Sequence, residues 1–191
     1  MKTIRWAMLL FVASESVFFV LLMGAYVIYH AALPGAAQAG TADASRYLDI
    51  PRMAVFSAAL FSSSFTIWRA GVKFRAGRPR AALAWLAATI ALGASFLVGE
   101  GAEWASLSGK NVTVGRDLFG TTFFTLTGFH GLHVFIGLIM LAALFGLGLK
   151  RGAAVASGPL AGALEGITIY WHFVDSVWIF IFTIVYLWAL R

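Results

Sequence analysis

Five long apolar stretches, separated by shorter polar segments, dominate the pattern of hydrophobic and polar positions in this chain of 191 residues. A helix crossing the ~30 Å hydrocarbon layer needs about 20 residues, and a lipid-facing span must satisfy its backbone polar groups internally. We therefore predict an all-α membrane bundle of five transmembrane helices, forming a single domain over residues 1–191. The predicted spans are approximately 4–29, 53–70, 81–104, 119–149 and 167–190.

Composition supports a membrane protein and narrows its chemistry. The chain is 61% hydrophobic and only 12% charged, and the charged share is about half that of a typical soluble protein. The first apolar stretch follows a basic start but is too long for a signal peptide, so we expect it to be retained. The absence of cysteine excludes disulfides, thiolate-bound metals, iron–sulfur clusters and c-type haem attachment.

The positions of the basic residues predict the orientation of the chain. With the N-terminus in the cytoplasm, nine of the 14 Lys and Arg residues fall on the cytoplasmic side and five on the other side. Cytoplasmic loops near helix ends carry the positive excess, and the Arg69–Arg80 segment contributes most of it here. We expect a cytoplasmic N-terminus and a C-terminus on the opposite side, which is the periplasm if the membrane is a bacterial inner membrane, and no nucleic-acid partner for the net charge of +6.

Glu15 is an ionisable residue near the middle of the first predicted span. It lies eleven residues into the span, or about 16 Å along a helix that rises ~1.5 Å per residue. A carboxyl at this depth is either neutral, because burial disfavours the charged form, or paired with a donor on another helix. A role in proton handling and a structural hydrogen bond both remain open.

Histidines and an aspartate share faces of the last two spans. His130 and His133 are three residues apart on the fourth span, and His172 and Asp175 repeat this spacing on the fifth. If these polar faces meet, a metal or haem site is one hypothesis. A hydrogen-bond network between helices is favoured, because the spacing matches no specific ligand motif.

Further polar and aromatic residues lie in the third and fifth spans. Glu100 and Glu103 fall near the outer end of the third span, where water or Arg116 would reach them, so we interpret them as interfacial anchors. Trp171 and Trp178 lie inside the fifth span and are predicted to pack in the core. The predicted interhelical network or lipid cleft comprises His130, His133, His172, Asp175, Glu103 and Trp171.

Four motifs occur in the order typical of one family. In chain order they are ASESVFF at Ala13–Phe19, FGTTFF at Phe119–Phe124, TGFHGLHV at Thr127–Val134 and YWHFVDSVW at Tyr170–Trp178. The third span adds Glu103-Trp104. Together they closely resemble the cytochrome c oxidase subunit III family of haem-copper respiratory oxidases, in its short five-helix bacterial form, over nearly the whole chain.

The resemblance has local departures. Longer members carry two further N-terminal helices, which form one wall of a lipid-filled cleft. The family often has Asn-Thr where this chain has Arg52-Met53, and a frequent Gln is absent near Gly99-Glu100. These differences concern detail within the family pattern.

The resemblance implies a non-catalytic subunit that associates with oxidase catalytic subunit I and other oxidase subunits. Haems and copper would then lie in those partners, with no cofactor in this chain. The subunit would stabilise the catalytic subunit, support proton uptake and hold phospholipids. Glu15 takes the position of the family's buried, carbodiimide-reactive glutamate. We also expect lipid head-group contacts from Arg75, Arg78 and Arg80, because basic residues near an anionic surface bind it.

Three alternatives remain at the level of sequence. The first is the accessory membrane subunit of a nitric oxide reductase system, which resembles subunit III over the same helices. The second is a di-haem membrane cytochrome that uses His130, His133 and His172. The third is a proton channel built on Glu15, His133 and Asp175, although no inverted repeat is evident. The electron donor and the haem types are not determined by the sequence.

Overall fold

The structure is a computed structural model that describes residues 2–31, 48–115, 118–151 and 159–188. The described chain contains five long α-helices, and a π-helical turn, Thr183–Leu187, continues the last of them. Each helix is long and apolar enough to cross a membrane, which confirms the predicted all-α, five-span architecture. The helices are α1 (Lys2–Ala31), α2 (Ile50–Arg75), α3 (Pro79–Gly109), α4 (Leu118–Arg151) and α5 (Pro159–Phe182).

Local sequence signals set the ends of α2 and the start of α3. Asp49 caps α2, its carboxylate accepting a hydrogen bond from the backbone N–H of Arg52 at 3.1 Å. Pro51 stands in the first turn of α2, where its missing N–H costs no hydrogen bond. Gly77 then adopts a left-handed φ of 66°, and Pro79 opens α3. This short turn makes α2 and α3 antiparallel neighbours.

The helices surround α5 unevenly. α2 and α3 form the most extensive pair, α4 packs against α3 and α5, and α5 also contacts α1 and α2. α1 contacts α4 and α5 but exposes most of its apolar surface. Its strongly exposed side chains are Leu10, Val17, Val20, Leu21 and Ile28. In a membrane, this face of α1 lies against lipid or another subunit.

The helices extend beyond the predicted spans, most of all at the ends of α2 and α3 and at the start of α5. α3 continues to Gly109, and α5 begins at Pro159 rather than near residue 167. The added turn of α5 lies against α1: a Cβ on Gly162 would be 3.3 Å from Ile4, and one on Gly166 would be 3.4 Å from the same side chain. Small residues allow this close approach, and their low apolarity is the reason that hydropathy alone missed the segment. Most of the predicted loop before α2, residues 34–47, lies outside the described residues.

Candidate functional site

Glu15 on α1 pairs with His133 on α4. Glu15 Oε2 is 3.2 Å from His133 Nε2, and the two side chains are 23% and 11% exposed. The ring of Phe19 packs edge-on against the imidazole at 5.0 Å. The hydroxyl of Tyr170 donates to the backbone carbonyl of His133 at 2.9 Å, which ties α5 to the same turn of α4. The structure thus brings Glu15 and His133 into contact, a pair that the sequence placed together only in the proton-channel alternative.

The hydrogen bonds of His133 indicate where the protons of the Glu15–His133 pair lie. Its Nδ1 lies 2.6 Å from the carbonyl oxygen of Phe129, and a carbonyl oxygen only accepts, so Nδ1 carries a hydrogen. The contact between Nε2 and Glu15 then needs one more proton, on the carboxyl or on the imidazole. The pair is therefore suited to hold and exchange a single proton.

A second polar cluster joins α2 and α5. Ser64 Oγ donates to Asp175 Oδ2, and the Nδ1 of His172 lies 2.9 Å from the same Oγ and donates to it. Among the described residues, no hydrogen bond links these two α5 side chains to His130 or His133. The condition for the metal or haem hypothesis, that these polar faces meet, is therefore not fulfilled by these side chains, because α5 turns His172 and Asp175 toward Ser64 of α2.

A third cluster lies where α3 ends. The Tyr186 hydroxyl donates to Glu103 Oε2, and Glu100 is buried one turn earlier on α3. The two glutamates are only 3% and 2% exposed, so the interpretation as water-exposed interfacial anchors is wrong for Glu100 and incomplete for Glu103. The helix extends beyond them to Gly109, which places both inside the bundle. Arg116, their suggested partner, lies outside the described residues.

His130 occupies an apolar position rather than a hydrogen-bonded one. Its ring stacks on Trp178 at 4.8 Å and meets Phe96 edge-on at 5.7 Å. Within the described chain, neither ring nitrogen has a hydrogen-bond partner. His130 and His133 both lie against the ring of Phe19, at 6.5 and 5.0 Å, whereas His172 belongs to the cluster with Ser64 and Asp175. No group of three His, Asp or Glu among the described residues is arranged to hold a metal ion.

The basic residues border two different grooves at the end of the bundle where α2 and α3 are joined. Arg5 and Arg75 line a groove of about 300 Å³ between α1, α2 and α5. Arg78 and Arg80 line a separate groove of about 700 Å³ between α3 and the end of α4. The three arginines predicted to contact head groups therefore do not converge on one site.

Sequence reasoning missed the hydroxyl partners that order the core. Trp178 donates its indole N–H to Ser57, and Trp171 donates to Ser63, both at 2.8 Å. Ser64 holds the His172 cluster. The available signal was a run of small hydroxyl residues within the second span, which is unusual for a lipid-facing helix and typical of a packed interface.

The comparisons with known proteins agree with this architecture. Residues 1–190 match the family described as cytochrome c oxidase subunit III. The chain belongs to that family. A relative named cytochrome c oxidase subunit 3, from Synechocystis, is 35% identical over 95% of this chain and 74% of its own length.

Two further relatives come from other organisms, and one of them is named as a subunit of a different oxidase. A cytochrome bo(3) ubiquinol oxidase subunit 3 from Pseudomonas aeruginosa is 36% identical over 78% of this chain and 70% of its own length. A cytochrome c oxidase subunit 3 from Hippopotamus amphibius is 33% identical over 98% of this chain and 70% of its own length. This chain is therefore a subunit III of the haem-copper oxidases, and its relatives include subunits of both cytochrome c and ubiquinol oxidases.

Proposed function

We propose that this chain is the non-catalytic subunit III of a bacterial haem-copper terminal oxidase. The complex would lie in the inner membrane, with the N-terminus of this chain on the cytoplasmic side. In this proposal it stabilises catalytic subunit I, which carries the haems and copper, supports proton uptake and retains phospholipids. The observation that carries the proposal is the Glu15–His133 pair on the side of the bundle.

The position of the pair supports a role directed at a partner subunit. Glu15 lies on α1, which contributes least to the core, and its side chain remains 23% exposed while its neighbours Val17 and Val20 are strongly exposed. A polar pair beside an exposed apolar face is costly in contact with lipid, and such groups usually face protein or a cavity. The pair would accordingly face the catalytic subunit and exchange protons with groups at that interface.

The substitution Glu15→Gln tests this role. Glutamine keeps a donor for His133 Nε2 but cannot release a proton, so we expect the assembled oxidase to show a severalfold lower turnover number and faster inactivation during turnover. Both quantities are measured by oxygen consumption of the purified complex. Ser14→Ala is the control, because Ser14 is the exposed polar neighbour of Glu15 on α1 and bonds to the backbone carbonyl of Phe11 in its own helix. Unchanged turnover and unchanged inactivation in Glu15→Gln would remove the proposed role.

The groove between α1, α2 and α5 supports the retention of phospholipid. Its wall is apolar along Ile67, Trp68 and Leu164. Its polar end bears Arg5, Arg75 and Glu165, and Glu165 pairs with Arg5 at 3.9 Å, so the end keeps a net positive charge. An acyl chain fits the apolar wall, and each cation near an anionic head group contributes about 1 kcal/mol. We therefore assign the head group of an anionic lipid to Arg5 and Arg75, with Arg78 and Arg80 at a second, separate contact.

A further inference from the structure

Two buried glutamates on α3 have incomplete hydrogen bonding. Glu100 Oε1 has no hydrogen-bond partner among the described residues, although the residue is only 2% exposed. Its other oxygen, Oε2, lies against Gly131 of α4, where a Cβ would be 2.7 Å away. The missing side chain of Gly131 thus provides the space that the Glu100 carboxyl occupies. A buried polar atom left without a partner costs about 1–3 kcal/mol, so an unpaired carboxyl oxygen needs an explanation.

Glu103 stands between Glu100 and the end of the bundle. One of its carboxyl oxygens accepts from the Tyr186 hydroxyl, and the other, Oε1, has no well-formed hydrogen bond within the described chain. The backbone N–H of Asp49 is directed at the Glu103 carboxyl as a weak hydrogen-bond donor, and the charged groups of Asp49 and Arg52 lie close enough to interact with that carboxyl. Glu100 and Glu103 are three residues apart, so their Cβ atoms lie about 5–6 Å apart on one face of α3.

A polar pocket opens directly at Glu103. It has a volume of about 320 Å³, and its lining includes Asp49, Arg52, Ser106 and Lys110 together with Glu103. A pocket of this size and polarity holds several water molecules, which need polar partners of this kind. The pocket therefore connects Glu103 with the end of the bundle that bears the N-terminus of α2, which we call the Asp49 end.

The inner limit of this arrangement is His130. Its two ring nitrogens are also unpaired, and its ring is held between Phe96 and Trp178. Phe96 lies one turn before Glu100 on the same face of α3. Unpaired polar atoms thus continue from the pocket past Glu103 and Glu100 toward the centre of the bundle, in a region where the other side chains are aromatic.

We propose that Glu100 and Glu103 form a proton-exchange site supplied with water from the pocket at the Asp49 end. Internal water accounts for the two unpaired carboxyl oxygens, because one molecule between the carboxyls would bond to both Oε1 atoms. Water in the pocket delivers a proton to Glu103 Oε1. Glu103 passes a proton to the internal water, which gives one of its own protons to Glu100, and the reverse steps return a proton to the pocket. Each transfer forms one O–H bond and breaks another, so the charge of the site changes only by the proton it holds.

The surroundings identify the charged groups that act on the site. Asp49 and Arg52 face Glu103 from the start of α2, Tyr186 from the end of α5, and Lys110 from the end of α3 through the pocket. Tyr26 of α1 and Tyr186 interact electrostatically with each other. On α4, His130 lies at the inner limit of the site, and His133 interacts electrostatically with His130. This site is distinct from the Glu15–His133 pair, which opens on the side of the bundle.

Infrared spectroscopy of the assembled oxidase tests the proposal. The carbonyl stretch of a protonated carboxyl shifts when its proton is replaced by deuterium, so the band that disappears in Glu100→Gln reports exchange at Glu100. After transfer of the complex to deuterated buffer, we expect this band to shift in the unsubstituted protein. In Glu103→Gln, which keeps the contact with Tyr186 but cannot carry a proton, the shift should slow by about tenfold or more. Glu165→Gln, at the opposite end, should leave the rate unchanged.

Two results would overturn the proposal: no exchangeable carboxyl band is lost in Glu100→Gln, or the exchange rate at Glu100 is the same in Glu103→Gln as in the unsubstituted complex. Assembly is checked by co-purification of the partner subunits. If Glu103→Gln does not assemble, Ser106→Leu fills part of the pocket without altering either carboxyl, since Ser106 lines it and is exposed. Slower exchange at Glu100 in that variant supports the path, and an unchanged rate contradicts it.

Discussion

At the scale of single residues, the core depends on polar partners for large aromatic side chains. Trp171 and Trp178 are fully buried, as predicted for packing residues of the fifth span. Each also donates its indole N–H to a serine of α2. No water replaces such a partner in an apolar interior, so the serine is needed to satisfy the N–H group. The sequence identified the tryptophans but not these partners, because the serine that faces them depends on the rotation of α2.

Removing one of these partners should destabilise the bundle measurably. In Ser57→Ala the indole N–H of Trp178 loses its acceptor, and we expect a loss of about 1 kcal/mol in the free energy of unfolding, within the range for hydrogen bonds between membrane helices. Unfolding of the detergent-solubilised protein by a denaturing detergent measures it. Ser62→Ala is the control, because Ser62 is exposed and bonds only to the backbone carbonyl of Ala58 in its own helix. Equal stability of the two variants would show that the Trp178 bond contributes nothing.

At the scale of helices, glycines on α3 and α4 create the space for Trp171 of α5. A Cβ on Gly93 would lie 2.8 Å from the indole, and one on Gly137 would lie 2.7 Å from it. Both distances are well inside van der Waals contact. The absence of these side chains therefore allows three helices to meet around one buried ring.

Adding a methyl group at this meeting point should separate the helices. Gly137→Ala forces the Trp171 ring to move within a packed core, and overpacking of this kind typically costs about 1–3 kcal/mol. Thermal denaturation of the purified chain or complex measures the loss. Gly146→Ala on the same helix is the matched control, because a Cβ there has no atom within 4 Å. If both alanine variants denature at the same temperature, the tight contact at Gly137 is incorrect.

Helix number was predictable from sequence, whereas helix ends and polar contacts were predicted less well. The five apolar stretches predicted five spans, and the structure has five helices that are long and apolar enough to cross a membrane. The start of α5 was missed because Gly162 and Gly166 add little hydropathy. They belong to the helix because it packs closely against α1 at these positions. Glu100 was placed at the interface for a related reason, since α3 extends further than its apolar stretch. Glu15 and His133 were both identified as candidates, but their pairing needed the arrangement of α1 against α4.

At the scale of the whole molecule, the two charged ends and the exposed face of α1 are the surfaces through which the subunit would contact lipid, water and a protein partner. The basic residues Arg5 and Arg75 lie together at the polar end of one groove. The Asp49 end, at the opposite side of the bundle, bears the pocket at Glu103. The Glu15–His133 pair lies between these ends, beside exposed apolar side chains of α1. Lipid, water and a protein partner would thus reach different parts of the subunit.

Neutralising the groove should weaken lipid retention selectively. The double variant Arg5→Gln/Arg75→Gln removes both cations from the groove, and the loss of about 1 kcal/mol for each cation corresponds to about fivefold weaker binding per residue. Native mass spectrometry of the complex counts the anionic phospholipids that remain. Lys73→Gln/Lys150→Gln is the matched control, since these lysines lie at the same end of the bundle and neither is among the residues that line the two grooves. Lipid loss that is equal in the two double variants would indicate a general charge effect and contradict a specific site in the first groove.

The most direct test of the whole account is purification of the tagged chain from its native membrane under conditions that preserve complexes. Mass spectrometry then identifies the largest partner, and a reduced-minus-oxidised spectrum reports haem. The account predicts that the catalytic subunit of a haem-copper oxidase co-purifies, that the haem signal follows that partner, and that the separated chain has no haem band. A chain that purifies alone, that is bound to the catalytic subunit of a nitric oxide reductase, or that retains haem after separation would contradict it.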